Sequence, residues 1–385
     1  MQTESIKEAI RTHRAHYCLD CGKCTSVCPI SWRDPSFSPR ALVESCRLDA
    51  TGTVLSDERI WECLTCGRCS LVCPSDVQFV RFVRELRSVA RHAHQEGHCT
   101  HGATIQTWMR MMADPEIKQE RLGWLTGDLR TAAKSDTVYF VGCLPYYDVL
   151  FRNTGAQGTE IAQGAVRIMN ALGIEPMVLS DERCCGHDLL WEGDTDTFGR
   201  LAKLNTESLR ATGARRVVTT CPECAYTLRT DYQLGMEVVH ITELLAARWD
   251  KLAECVTAQE SEQPLTVTFQ DPCRLGRYMG VYDQPRQLLL NLGLQLAEMD
   301  HHGSRSICCG TSAWTQCGAT AKCIQVDRLR EARATGSDLL VTSCVKCQIH
   351  FKCAQNDPVL EDGLRIEVRD LVTLVAERLK ESAGS

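Results

Sequence analysis

The chain has 385 residues, enough for two or three domains with substantial cores, and 44% of it is apolar. A formal net charge of −6 argues against a nucleic-acid binder, whose domain would carry a basic surplus. Residues 1–16 lack the apolar core of a signal peptide and no run of about 18 apolar residues occurs, so a cytoplasmic protein without a transmembrane segment is expected.

Twenty-four cysteines in such a chain read as metal ligands rather than disulfide partners, because the cytosol keeps thiols reduced. The first two groups are Cys18-Leu-Asp-Cys21-Gly-Lys-Cys24-Thr-Ser-Val-Cys28-Pro29 and Cys63-Leu-Thr-Cys66-Gly-Arg-Cys69-Ser-Leu-Val-Cys73-Pro74. Each is a bacterial-ferredoxin cluster motif. Two-residue spacers turn three thiolates toward one 4Fe-4S cubane, and the fourth cysteine reaches the other. Cys18, Cys21, Cys24 and Cys73 are therefore expected to hold one cubane, and Cys63, Cys66, Cys69 and Cys28 the second. Zinc knots would instead show paired C-x-x-C hooks. Gly22 and Gly67 are expected to let the backbone approach the sulfurs, and Pro29 and Pro74 to end the ligand loops.

Apolar spacing predicts a helix over 39–49 and an amphipathic helix over 77–94, with Phe79, Val83, Leu86 and Ala90 on one face. Its arginines, Arg81, Arg84, Arg87 and Arg91, read as a solvated basic face, with a docking patch for an acidic redox partner as the sharper alternative. Residues 1–96 form the expected dicluster domain of ferredoxin type. Residues 97–134 lose the cysteine regularity and read as a connector packed against a neighbour. Within it, His98-Cys99-Thr100-His101 reads as a polar turn, since three potential ligands in four residues cannot easily reach one ion.

The rest of the chain repeats one pattern. Cys143, Cys184-Cys185-Gly186 and Cys221-Pro-Glu-Cys224 are followed by Cys273, Cys308-Cys309-Gly310 and Cys344-Val-Lys-Cys347. An offset of 123 residues relates Gly213 to Gly336 and Cys221 to Cys344, which marks an internal duplication. Each copy gathers five thiols, one more than an ordinary zinc or cubane site takes, and so points to an unusual iron-sulfur cluster with iron open to chemistry. Strands are predicted at 137–141, 176–179, 216–220, 238–241, 266–269, 339–343 and 365–368, with helices over 197–212, 243–249, 320–335 and 371–379. The expected fold is thus a helical dicluster domain followed by two α/β domains, 135–256 and 265–385, with mostly parallel sheets that gather the cysteines at the carboxyl ends of strands. No glycine fingerprint for a nucleotide follows the first strand. Cys46, Cys99, Cys255, Cys317, Cys323 and Cys353 lie outside the motifs and are expected to be buried, acting as small hydrophobes.

With both ferredoxin motifs and both five-cysteine sets complete, nearly the whole chain resembles a fusion of the small and catalytic iron-sulfur subunits of heterodisulfide reductase, a Cys-Cys-Gly protein. The resemblance implies a noncubane 4Fe-4S cluster on Cys143, Cys184, Cys185, Cys221 and Cys224, and another on Cys273, Cys308, Cys309, Cys344 and Cys347. The two would face a disulfide substrate and receive electrons through the cubanes. It implies a flavin-containing electron-bifurcating or dehydrogenase subunit as partner, or a hydrogenase or formate dehydrogenase module. His187, after the first pair, reads first as a surface or cluster-packing histidine and only secondarily as a candidate proton donor. The layout is also similar to the iron-sulfur subunits of anaerobic glycerol-3-phosphate dehydrogenase and glycolate oxidase, which pass electrons from a flavoprotein toward quinone without a substrate of their own.

Overall fold

A computed structural model describes residues 2–257, 264–357 and 363–380. The chain divides into two compact units. Met1–Asp114, Gly186–Leu201 and Ile307–Gln325 form the first, and Pro115–Cys185, Ala202–Ser306 and Val326–Ser385 the second.

The first unit is helical. Helix Pro39–Leu48 starts at Ser38, whose hydroxyl accepts from the Ala41 amide, and Pro39 occupies the first turn, where no amide hydrogen is needed. Helix Phe79–His92 buries Phe79, Val83, Leu86 and Ala90, as the periodicity predicts. Of its arginine stripe Arg81 is exposed as expected, but Arg84, Arg87 and Arg91 do not form a solvated face. Arg84 lies over the Trp191 ring at 5.2 Å, and Arg91 faces Glu192 and Asp194 at 3.5 and 3.6 Å. Arg87 is fully buried and donates to the carbonyls of Ile60, Trp61, Cys63 and Trp191 at 2.7–3.0 Å. Carbonyls in an irregular, buried loop need donors, and this one guanidinium supplies them. Gly193 is required beside it, because an added Cβ would lie 2.5 Å from the Arg87 backbone and its φ is +93°.

The expected connector has structure of its own. Helix Thr104–Met111 belongs to the first unit, while the chain from Pro115 onward belongs to the second. His101, Gly102 and Ala103 have left-handed φ, as do Ala313, Trp314 and Gln316. These two segments brace each other, with Thr100 N donating to Trp314 O at 2.7 Å and Gln316 N to His98 O at 3.0 Å.

The second unit holds two wholly parallel sheets, as the alternating pattern implied. β1 (Thr137–Tyr139), β2 (Arg216–Thr219) and β3 (Glu237–His240) lie in the order β1-β2-β3. β4 (Thr266–Gln270), β5 (Gln295–Leu296), β6 (Leu339–Thr342) and β7 (Glu367–Asp370) lie in the order β5-β4-β6-β7. The strand expected at 176–179 is reduced to one bridge, Met177 to Val138, and β7 begins two residues later than its predicted place.

The repeats pack by exchange. Helix Gly158–Ala171 of the first repeat meets Leu371–Ala376 of the second, and Asp283–Asn291 of the second meets Ile241–Ala247 of the first. Val256 and Leu379, also 123 residues apart, form an antiparallel bridge with each other. Equivalent residues meet in this way only near a two-fold relation, so the duplication forms an internal pseudo-dimer.

Candidate iron-sulfur sites

Two cavities in the first unit collect the ferredoxin cysteines. One is lined by Cys18, Cys21, Cys24, Cys69 and Cys73, the other by Cys28, Cys63, Cys66 and Cys69. Gly22 and Gly67 have φ of 75° and 82° and open the short helices Lys23–Ser26 and Arg68–Leu71. Nothing lies within 4 Å of a Cβ added at Gly22. The left-handed turn, not close approach to sulfur, therefore demands glycine there. Pro29 does not merely end its loop, because it starts helix Pro29–Arg33. The Thr65 amide donates to Cys63 Sγ at 3.4 Å and the Val77 amide to Cys73 Sγ at 3.3 Å. Burial pushes the Cys63 thiol up to about 12, against the nearby Arg87 charge, and pushes Cys69 well above the usual thiol range.

The first five-thiol set lies wholly within the second unit, and all five members are buried. Cys143 and Cys221 follow the carboxyl ends of β1 and β2, and Cys221 opens helix Pro222–Thr230. Cys143 Sγ is 3.6 Å from Cys184 Sγ, and Cys224 Sγ is 3.3 Å from Cys185 Sγ. Backbone groups of the adjacent pair are pinned from behind. Asn205 donates to Cys184 O and accepts from Arg183 N, while Tyr232 donates to Cys185 O, at 2.8–3.0 Å. The Glu182 carboxylate accepts from the Val141 and Gly142 amides at 3.0 and 2.7 Å and is paired with buried Arg121, which fixes the loop before Cys143. A Cβ at Gly142 would sit 3.1 Å from Cys224 Sγ, and its φ is +65°.

These donors suit a soft metal centre. Hydrogen bonds among the thiols, then burial, hold Cys143 and Cys224 well above the usual thiol range. A cationic centre reverses that cost, because it stabilises thiolates directly. The 3.3 and 3.6 Å contacts are somewhat closer than thiolates around one tetrahedral ion, which stand ~3.8 Å apart for metal-sulfur bonds of ~2.3 Å. A single tetrahedral ion takes four thiolates and would leave a fifth over.

Of the second set, Cys273, Cys344 and Cys347 belong to the second unit and Cys308 and Cys309 to the first. Cys344 follows β6 and opens helix Val345–Gln355, as Cys221 does in the first repeat. Beside Cys273, Arg274 is 2% exposed, with its guanidinium 4.2 Å from the Tyr278 ring centre and 5.8 Å from that of Tyr226. The two C-x-x-C hooks meet through their third residues, Lys346 Nζ lying 2.9 Å from a Glu223 carboxylate oxygen.

His187 is 1% exposed, 3.1 Å from Asp188 Oδ1, and its ring centre is 5.9 Å from that of Trp191. Among the cysteines outside the motifs only Cys46 is buried. Cys99, Cys255, Cys317 and Cys353 are partly exposed and Cys323 is exposed, which corrects the expectation of six buried thiols. Cys99 donates toward Glu192 and Cys255 toward the Ala171 carbonyl, so surface and polar positions tolerate them. Arg87, Asn205, Tyr232 and the Arg121–Glu182 pair had no motif to announce them. Glu223 and Lys346 did, since aligning the two hooks places opposite charges at equivalent positions.

Among the described residues no helix is long and apolar enough to cross a membrane. Two family models match the chain: the 4Fe-4S dicluster domain over residues 14–77 and the cysteine-rich domain twice, over 137–229 and 267–352. The chain is 34% identical over 275 residues to one of the subunits of dihydromethanophenazine:CoB–CoM heterodisulfide reductase from Methanosarcina acetivorans, a match covering 68% of this chain and 63% of that protein. The aligned part thus spans under two thirds of that relative. It is 28% identical over 411 residues to one of the subunits of anaerobic glycerol-3-phosphate dehydrogenase from Escherichia coli, covering 94% and 98% of the two chains. It is 29% identical over 221 residues to an EtfAB:quinone oxidoreductase of Syntrophomonas wolfei, covering 54% of this chain and 30% of that protein. The chain belongs to the heterodisulfide-reductase-like iron-sulfur proteins, in which a 4Fe-4S dicluster domain precedes two cysteine-rich domains.

Proposed function

We propose that the chain is the catalytic iron-sulfur subunit of a heterodisulfide-reductase-like complex in the cytoplasm. Cys18, Cys21, Cys24 and Cys73 hold one cubane, and Cys63, Cys66, Cys69 and Cys28 the other. Cys69 lines both cavities, an arrangement that supports two cubanes close together and crossed ligation. Each five-cysteine set holds a noncubane 4Fe-4S cluster, within functional domains at 135–256 and 265–385. Clusters supply electrons singly. Reduction of a disulfide to two thiols takes two electrons and two protons, so a complete pair of five-thiol sites matches its stoichiometry. The observation that carries this reading is the duplication with every thiol present in both copies. The electron donor is a flavin-containing bifurcating or dehydrogenase subunit, or a hydrogenase or formate dehydrogenase module. His187 is retained as the proton-donor candidate.

The test is viologen-driven turnover of a panel of disulfides by anaerobically purified protein. Cys185→Ser and Cys309→Ser are expected to abolish thiol production while leaving the dicluster spectrum in place; unchanged turnover in both would defeat the assignment. A second reading is supported by the match running through nearly the full length of the glycerol-3-phosphate dehydrogenase relative. In it the chain relays electrons from a flavoprotein toward quinone and has no substrate of its own. It predicts flavoprotein-dependent quinone reduction with no disulfide turnover.

A further inference from the structure

The two ferredoxin motifs carry one loop in two settings. Cys18-Leu19-Asp20-Cys21 and Cys63-Leu64-Thr65-Cys66 share their cysteines and their leucine, and Asp20 and Thr65 both take a left-handed φ, 56° and 47°. The second loop is covered by its own chain. Leu64 is 6% and Cys66 8% exposed, Arg87 donates to the Cys63 carbonyl at 2.7 Å, and Thr65 Oγ1 lies 2.7 Å from Ser312 Oγ, both buried. The first loop is bare. Leu19 is 70% exposed, Tyr17 beside it 54%, and Cys21 is exposed as well.

A single exposed leucine is ordinary. This one belongs to a metal site, because Leu19, Cys21 and Lys23 line the same cavity as Cys18, Cys24 and Cys73. Exposed side chains are therefore part of that site's wall. Electron exchange weakens steeply with distance, so an outside donor gains most by contact here. Cys63, Cys66 and Cys69 are buried and give no comparable access. Charges around the bare loop are largely closed on each other. Arg14 reaches Asp76 at 2.7 Å, with its guanidinium 5.6 Å from the Tyr17 ring centre, and Arg40 reaches Asp20 at 2.5 Å. Such a face has no strong field of one sign to hold a polyanion or an anionic membrane. It suits a desolvated contact with another apolar surface, and the ring edge of a flavin is one that also carries electrons.

We propose that Tyr17, Leu19 and the loop between Cys18 and Lys23 form the docking face for a separate electron donor, a flavoprotein whose reduced ring edge lies at an apolar surface. One electron leaves the flavin and reduces the cubane held by Cys18, Cys21, Cys24 and Cys73, and no bond in this chain forms or breaks. This rests on the reading that the first motif holds a cubane. Both functional readings admit a flavoprotein donor, so it stands under either. Tyr17 and Leu19 position the donor and ligate nothing.

The test is stopped-flow reduction of the whole cluster-loaded protein by flavodoxin hydroquinone, a flavoprotein probe with an exposed ring edge. Reduced methyl viologen serves as a small reductant that needs no docking face. Leu19→Gln, Tyr17→Gln and their combination remove apolar contact without adding a charge near the cluster. Arg81→Gln, on the exposed side of helix Phe79–His92, is the control. The double variant is expected to need about tenfold more flavodoxin for its half-maximal rate. Its viologen rate, its iron and sulfide content and the electron paramagnetic resonance of its reduced dicluster should match the parent, and Arg81→Gln should match the parent throughout. An unchanged flavodoxin dependence in the double variant would overturn the proposal, as would a parent that viologen reduces and flavodoxin does not. If Leu19→Gln disturbs the dicluster spectrum, Tyr17→Gln decides alone. Sedimentation covers the remaining occupant: a parent dimer that the double variant turns into monomers would mean that a second copy covers the face, and would also overturn the proposal. These failures leave the cluster reading intact. Absence of iron and sulfide from the dicluster domain of the parent would defeat that reading and the proposal together.

Discussion

Arg87 shows how one side chain can organise a metal-binding loop without touching the metal. It satisfies four buried carbonyls, including that of Cys63 at the start of the second ferredoxin motif. Arg87→Met is expected to cost about 3–5 kcal/mol of stability, because the carbonyls lose a charged donor and remain buried. Arg87→Lys should recover little, since an ammonium has three donors and no planar fork. Chemical denaturation under anaerobic conditions measures both, and a loss below about 1 kcal/mol for Met would contradict the clamp. A second residue, His240, caps helix Ile241–Ala247. Its Nε2–H donates to Thr220 O at 3.0 Å and its Nδ1 accepts from the Thr242 amide at 3.3 Å. Burial lowers its pKa to about 4. Its stabilising contribution is therefore complete above the unfolded value near 6.5 and is lost as pH falls from there toward 4. His240→Asn keeps a capping acceptor that does not titrate. The parent's margin over this variant should shrink by about 1 kcal/mol between pH ~7.5 and ~5.5; a constant margin would show that His240 does not titrate on unfolding as described.

The pairing of helices is where the duplication becomes a structure. Gly164, in helix Gly158–Ala171, leaves room for Leu371–Ala376, since a Cβ there would lie 3.2 Å from Ala376 Cβ and 3.4 Å from Val372 Cγ1. Gly164→Leu is expected to destabilise the second unit by about 1–3 kcal/mol through overpacking. Gly164→Ala should cost less, because it improves helix propensity as it tightens the contact. Denaturation midpoints rank the two, and equal stability of Gly164→Leu and the parent would contradict close packing of the repeats. At this scale the sequence was informative wherever spacing carries a signal. The parallel strands before Cys143, Cys221, Cys273 and Cys344 could be read from β-rich runs ending on cysteines. The short strand at 176–179 could not be distinguished from a single bridge, because its few apolar residues suit either. The stripe of Arg84, Arg87 and Arg91 was misread for a different reason. Arginine signals solvent by default, and only the tertiary fold brings carbonyls, carboxylates and the Trp191 ring against it.

For the whole molecule, motif spacing was enough to anticipate a dicluster segment and two cysteine-rich α/β repeats, and the family matches fall on those segments. The assignment of chain to compact units was not readable. Gly186–Leu201, which follows the first adjacent cysteine pair, and Ile307–Gln325, which contains the second, cluster with the N-terminal helices, a consequence of long-range packing that no local pattern encodes. The supports of the first thiol set were equally hidden, since Asn205, Tyr232 and Glu182 are common residues whose role comes from where the sheet brings them. Iron, zinc and acid-labile sulfide analysis of anaerobically purified protein decides whether all eighteen motif cysteines serve iron-sulfur clusters. About sixteen irons and as many sulfides per chain, with no stoichiometric zinc, are expected. About eight irons with one or two zinc ions would contradict that assignment, because the duplicated sites would then be ordinary tetrahedral zinc centres.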